Sequence, residues 1–179
     1  MKKHMMMIGG MMLVAAVCHA QFRLGAHGAY SNAGDVENED FGFGGQLGMQ
    51  MGEVFSLELS GTKFDDKEDG AGGEITTIAL TARLGAQVSY AATLYGGAGV
   101  NYNILDISPS LPGIEINDTI GFHGAGGIEV MLNDMIMVFA EYRYTLLEPE
   151  IEASFGGIKE TEKFDYNFGL ARIGFNLVF

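Results

Sequence analysis

Residues 136–146 read IMVFAEYRYTL, and the way their side chains alternate decides the fold. Ile136, Val138, Ala140, Tyr142, Tyr144 and Leu146 share one parity, while Met137, Phe139, Glu141, Arg143 and Thr145 share the other. Successive side chains of a strand point to opposite faces, so this segment extended has one wholly apolar face. The opposite face carries an acid and a base in its middle and is apolar at its lower end. Wound as a helix, the same residues would mix Glu141 and Arg143 among the rings.

The period of two recurs in seven further segments. Phe22, Leu24, Ala26, Gly28 and Tyr30 oppose Arg23, Gly25, His27 and Ala29; Phe41, Phe43, Leu47, Met49 and Met51 oppose Gly42, Gly44, Gln46, Gly48 and Gln50. Phe55, Leu57 and Leu59 oppose Ser56, Glu58, Ser60 and Thr62, and Ile78, Leu80, Ala82, Leu84, Ala86 and Val88 oppose Thr77, Thr81, Arg83, Gly85 and Gln87. Leu94, Ala98, Val100, Tyr102 and Ile104 oppose Gly97, Gly99, Asn101 and Asn103, with Tyr95 a large ring on the polar side. Ile120, Phe122, Ile128 and Val130 oppose Thr119, His123 and Glu129. In the last segment Ile173, Phe175, Leu177 and Phe179 oppose Arg172, Gly174 and Asn176, but Tyr166, Phe168 and Leu170 have the wrong parity. A bulge near Ala171 is expected to return them to the apolar face.

Alternation alone would also suit a soluble sandwich. The connections argue otherwise. Short links at Gly52 and Glu53, at Ser89 to Ala91 and at Met131 to Asp134 alternate with long ones, as tight turns alternate with surface loops in an up-and-down transmembrane barrel. The long links hold the charge: Asp35, Glu37, Glu39 and Asp40; Asp65, Asp66, Glu68 and Asp69; Asp106, Glu115 and Asp118; then Glu148, Glu150, Glu152, Glu160 and Glu162, against Lys67, Lys159 and Lys163. Charges thus avoid the apolar faces, where a basic side chain at mid-bilayer costs about 2–4 kcal/mol. Closure of the eight antiparallel strands leaves no unpaired edge, which lipid requires, and a lumen only wide enough for side chains. The inner-face glycines then make room for Arg, Gln, Tyr and His from neighbouring strands.

Residues 1–20, MKKHMMMIGGMMLVAAVCHA, have the order of a secretory signal peptide: Lys2 and Lys3, an apolar run from Met5 to Val17, and small Ala20. The run is too short to span a bilayer as a helix, and no later segment is longer. Cleavage after Ala20 removes Cys18, the sole cysteine, and leaves residues 21–179 as one thiol-free domain. Val17 is branched where an acylated lipoprotein wants a small residue, which argues against Cys18 as a lipid anchor. A net charge of −13, more negative still without the leader, excludes nucleic acid as a partner.

With AEYRYT at 140–145 and GFNLVF ending in Phe179, the chain resembles the OmpA/OmpX-type small outer-membrane barrels over residues 21–179. The resemblance implies an all-β, eight-stranded antiparallel up-and-down barrel in the outer membrane of a Gram-negative-type bacterium, monomeric and wetted by outer-membrane lipids. It further implies that Phe175, Leu177 and Phe179 match the C-terminal pattern read by the barrel-assembly machinery, with Leu177 in place of the commoner aromatic. Such proteins include structural surface proteins, adhesins, narrow channels and a few lipid A enzymes, and fold does not choose among them.

Candidate sites follow from the parity. Arg23, Glu58, Arg83, Glu129, Glu141, Arg143 and Arg172 all fall on the lumen side, where opposite charges are expected to pair. A gated pathway through the same residues is the competing reading. His27, Ser31 and Asn32 faintly match the His-Ser-Asn cluster of lipid A deacylases, but the inward parity of His27 and Ser31 would turn such a site away from lipid. His123 reads as an ordinary lumen histidine. In DDKEDGAGGE at 65–74, Lys67 and Thr76 stand where an EF-hand needs ligands, so a solvated acidic loop is expected rather than a calcium site. GAGG near Gly124 and GGAG near Gly96 read as packing glycines, and Asn117 starts an N-D-T sequon. No cofactor is expected. The leading reading is a non-enzymatic barrel whose acidic loops, above all Leu105 to Asp118, meet a host or environmental ligand; a narrow channel is the alternative and a lipid A-modifying enzyme the remote one.

Overall fold

The computed structural model describes residues 20–34, 41–68, 71–108, 114–116, 118–148, 150–155, 158–163 and 166–179. Residues 1–19, on which the expected signal peptide with Cys18 falls, the acids at 35–40 and Asn117 lie outside the described residues. Eight strands form the barrel: β1 (Gln21–Gly34), β2 (Phe41–Met51), β3 (Phe55–Glu68), β4 (Ala71–Gln87), β5 (Ala92–Ser108), β7 (Thr119–Met131), β8 (Ile136–Leu147) and β11 (Tyr166–Val178). Each follows its neighbour antiparallel, and β1 pairs with β11 to close the cylinder. The seam runs to the last residue, where Phe22 and Phe179 exchange backbone hydrogen bonds of 3.3 and 2.9 Å. The shortest barrel strand has 11 residues, enough to cross a hydrocarbon layer when tilted.

The three short connections are built by local chemistry. Gly52 takes φ +74° after β2, a left-handed conformation that suits glycine. Ser89 Oγ accepts the Ala92 amide at 3.1 Å before β5. Asn133 Oδ1 accepts the amides of Met135 and Ile136, both at 2.9 Å, and starts β8.

The two faces separate as the parity requires. Leu47, Leu84 and Ile120 stand 55, 63 and 68 % exposed on the outer wall, whereas Thr81 and Asn103 inside are fully buried. Aromatic residues gather at both rims of the wall, Phe22, Phe175 and Phe179 at the turn end and Phe41, Phe43 and Phe122 towards the loops. Water-soluble chains seldom expose a continuous apolar patch beyond a few hundred Å². A belt that encircles the molecule between aromatic girdles is the surface of a bilayer-spanning barrel.

Two expectations are corrected. No bulge lies near Ala171: the β8–β11 ladder runs without a shift from Tyr166↔Leu147 to Leu177↔Ile136. The irregularity is on β1, between Ser31 and Ala33. Phe168 and Leu170 therefore point inward, where Leu170 packs with Ala29, Phe64 and Ile75 in an apolar cluster at the loop end of the lumen. Their wrong parity was a signal of an internal apolar layer, not of a slip. Residues 65–68 and 71–74 are also strand rather than loop, since Asp65↔Glu74 through Glu68↔Ala71 continue the β3–β4 ladder. Beyond the barrel, β6 (Ile114–Ile116), β9 (Glu150–Phe155) and β10 (Ile158–Lys163) form a separate sheet in the order β10-β9-β6, which joins two of the long connections.

Candidate functional site

Halfway along the lumen, charged residues from six strands meet. Arg172 and Glu141 are register partners on β11 and β8, and Arg172 Nη1 donates to Glu141 Oε1 at 2.6 Å. Glu141 is the hub: it also accepts from Arg143 Nη2 at 3.0 Å, from Arg83 Nη2, and from the Tyr95 hydroxyl at 3.0 Å. Glu58 reaches in from β3, with Oε2 at 2.6 Å from Arg83 Nη2 and Oε1 at 3.2 Å from Arg172 Nη1 and 3.4 Å from Arg143 Nη2. Nearer the turn end, Glu129 bridges Arg83 at 3.4 Å and Arg23 at 2.9 Å. Four guanidiniums thus share three carboxylates, and the side chains of Glu141 and Arg172 have no exposure. Burying an ion costs several kcal/mol, and only such multiple pairing offsets it.

Neutral donors and acceptors complete the layer. Arg172 Nη2 donates to Gln46 Oε1 at 2.6 Å and to His27 Nδ1 at 3.2 Å. A guanidinium is a donor only, so His27 accepts at Nδ1 and its Nε2–H donates to Thr62 Oγ1 at 2.9 Å. Arg143 also donates to Ser60 and Thr81 hydroxyls, and Thr81 in turn meets His123 Nε2 at 2.9 Å. The Arg83 guanidinium lies 4.5 Å from the centre of the Tyr95 ring. Parity placed Tyr95 inside but gave it no role; its hydroxyl and ring both serve the network. Gln46, Ser60 and Thr62 were likewise legible only as inward residues.

Glycines set the room for these side chains. A Cβ at Gly127 would come 2.6 Å from the Tyr95 hydroxyl, one at Gly99 2.7 Å from His123 Cε1, and one at Gly44 2.5 Å from His27 Nε2. Below the network a cavity of ≈ 620 Å³ opens to the turn end, walled by Arg23, Gln50, Thr93, Tyr95, Glu129 and Met137. It stops at the charges: the space among Arg23, Glu58, Arg83 and Glu129 is ≈ 10 Å³, room for one water at most. Of the deacylase-like residues, His27 is inside and engaged on both ring nitrogens and Ser31 is buried, while the Asn32 side chain lies outside the described residues. Among the described residues no cluster of three or more His, Cys, Asp or Glu could hold a metal.

The outer membrane protein beta-barrel domain matches residues 5–179. The chain belongs to that family. Solved structures similar to this outer-membrane barrel include Neisserial surface protein A, 15 % identical with TM-score 0.66, and Ail, the attachment invasion locus protein of Yersinia pestis, 15 % identical with TM-score 0.58; each alignment covers 89 % of this chain and 97 % of the other. Outer membrane protein W of E. coli is 17 % identical over 86 % of this barrel and 96 % of its own chain, with TM-score 0.55. No curated protein sequence matches. At such identities the likeness of this outer-membrane barrel to them is one of fold.

Proposed function

We propose that the protein is a non-conducting, non-enzymatic surface barrel that holds acidic loops outside the cell for recognition of a host or environmental ligand. The observation that carries this reading is the filled lumen, with a four-arginine, three-glutamate layer at mid-height and the Ala29–Phe64–Leu170 cluster above it. With no through-path among the described residues, recognition falls to the long connections, two of which the β10-β9-β6 sheet ties together. Their acidic sequence favours basic or neutral ligands over polyanions. Ail, of similar fold, has been solved with the heparin analogue sucrose octasulfate; charge turns this chain's preference the other way.

Exchange of residues 105–118 and 148–165 for short Gly-Ser linkers tests the reading. Attachment of producing cells to host matrix is expected to fall to the level of a deletion strain while the barrel stays folded, and planar bilayers containing the intact protein are expected to stay silent. The narrow-channel reading rests on the turn-end cavity and the charged lumen. Steady conductance that changes in Glu141→Ala would establish it instead.

A further inference from the structure

The turn-end cavity below the charge layer has a chemistry of its own. Two rungs of inward side chains line it: Gln21, Gln50 and Ser56 are register partners across β1, β2 and β3, and Gln87, Thr93 and Glu129 across β4, β5 and β7. Six of the eight barrel strands thus turn a polar side chain towards the cavity. Of the other two, β8 contributes Met137 and β11 nothing, and β5 adds the Tyr95 ring. The well is therefore polar around most of its wall and apolar on one side. Its inner end is closed, since the space among the charges beyond it is only ≈ 10 Å³.

The charged groups of the lining are already committed. Arg23 donates through Nη1 to Glu129 and through Nη2 to Gln50, while Glu129 also meets Arg83. Arg23 Nε is unpaired, but it is buried and offers the cavity no surface. What the lining leaves free is neutral. Among the described residues the Ser56 and Thr93 hydroxyls and the Gln21 amide have no hydrogen-bond partner, and they come from three different strands around the well. Hydroxyls and amides both donate and accept, so these groups match a ligand that does the same.

We infer that the well is a binding site for a neutral, hydroxylated ligand of one or two sugar rings. Such a ring carries hydroxyls around its edge and C–H bonds on its faces. The edge exchanges hydrogen bonds with Ser56, Thr93 and Gln21, and one face lies on Met137 and Tyr95. The volume of ≈ 620 Å³ is that of a small-molecule site. An anion would have to take Arg23 from Glu129, and a cation would have to take Glu129 from two arginines, so ions fit less well. Entry is from the short turns, the periplasmic side of such a barrel, so the site is independent of what the long connections recognise.

Methyl NMR of the protein, isotope-labelled at its methionine methyls and folded in dodecylphosphocholine micelles, tests this in a detergent without a sugar headgroup. Chitobiose, a neutral disaccharide with hydroxyls and amides, is added to about 10 mM, enough to fill a site of roughly millimolar Kd. The Met137 and Met131 methyls, which line the well, are expected to shift saturably, and Met49 on the outer face to stay in place. Thr93→Val and Ser56→Ala each remove a hydroxyl with little change of shape and should weaken binding about three- to tenfold. A heat-dependent gel shift checks that each variant is folded. Wild-type methyls unmoved by chitobiose overturn the proposal, as do equal affinities in the wild type and both variants. Shifts produced by succinate or putrescine but not by the sugar overturn it as well.

Discussion

Replacing Glu141 by alanine removes the carboxylate on which Arg83, Arg143, Arg172 and Tyr95 converge. Four guanidiniums are then left with Glu58 and Glu129, and Arg172, whose side chain is unexposed, keeps only its 3.2 Å contact with Glu58 as an ionic partner. Breaking a buried pair from one side costs about 3–5 kcal/mol, because it strands the other charge. That is a large part of the 5–15 kcal/mol typical of a folded domain. The chain has no tryptophan, so the assay is urea titration of the barrel folded in lipid vesicles, followed by far-ultraviolet circular dichroism. The Glu141→Ala midpoint should fall with the slope unchanged, and Glu141→Gln, which keeps an acceptor and the volume, should lie between it and the wild type. A loss below about 1 kcal/mol would mean that water already solvates the layer, and the account of a dry, filled lumen would be refuted.

Three further outcomes follow from the wall and the glycines. Gly127→Ala, which drives a methyl group against the Tyr95 hydroxyl and the Ala140 carbonyl, should cost about 1–3 kcal/mol, whereas Gly124→Ala, with nothing within 4 Å, should leave the urea midpoint within error. Leu80→Arg, at a half-exposed mid-wall position, should destabilise the vesicle-folded barrel by about 2–4 kcal/mol; an unchanged midpoint would place that face in water. Phe179→Ala is expected to lower the amount of barrel assembled in cells, measured by membrane immunoblot, while refolding in vesicles is little changed. Equal loss in both settings would assign Phe179 to the β1–β11 seam rather than to recognition during assembly.

Most of the fold was legible because the bilayer enforces a strict period of two. A residue's parity in β8 gives its environment directly, so Glu141, Arg143 and Phe139 could be placed inside from the sequence. Parity says nothing about height or about partners across the lumen. That Glu58 meets Arg143, 85 residues later, depends on the stagger accumulated through the intervening ladders. Phe168 and Leu170 misled for a related reason: apolar residues were assigned outward by default, while the loop end of the lumen is itself an apolar layer. The β10-β9-β6 sheet was missed because β6 is three residues long and pairs with a strand more than thirty positions away. Short strands without a lipid face carry little periodic signal.

Nitroxide scanning tests the central claim most directly, and the barrel suits it because the only cysteine, Cys18, precedes the first barrel strand. Single cysteines labelled along β8 from Val138 to Leu146 should show high oxygen collision at Val138, Ala140, Tyr142, Tyr144 and Leu146. At Phe139, Glu141, Arg143 and Thr145 collision should be low both with oxygen and with a water-soluble nickel chelate. Chelate access at the inward positions would reveal an aqueous pore, and chelate access at the outward ones would remove the barrel from the bilayer altogether.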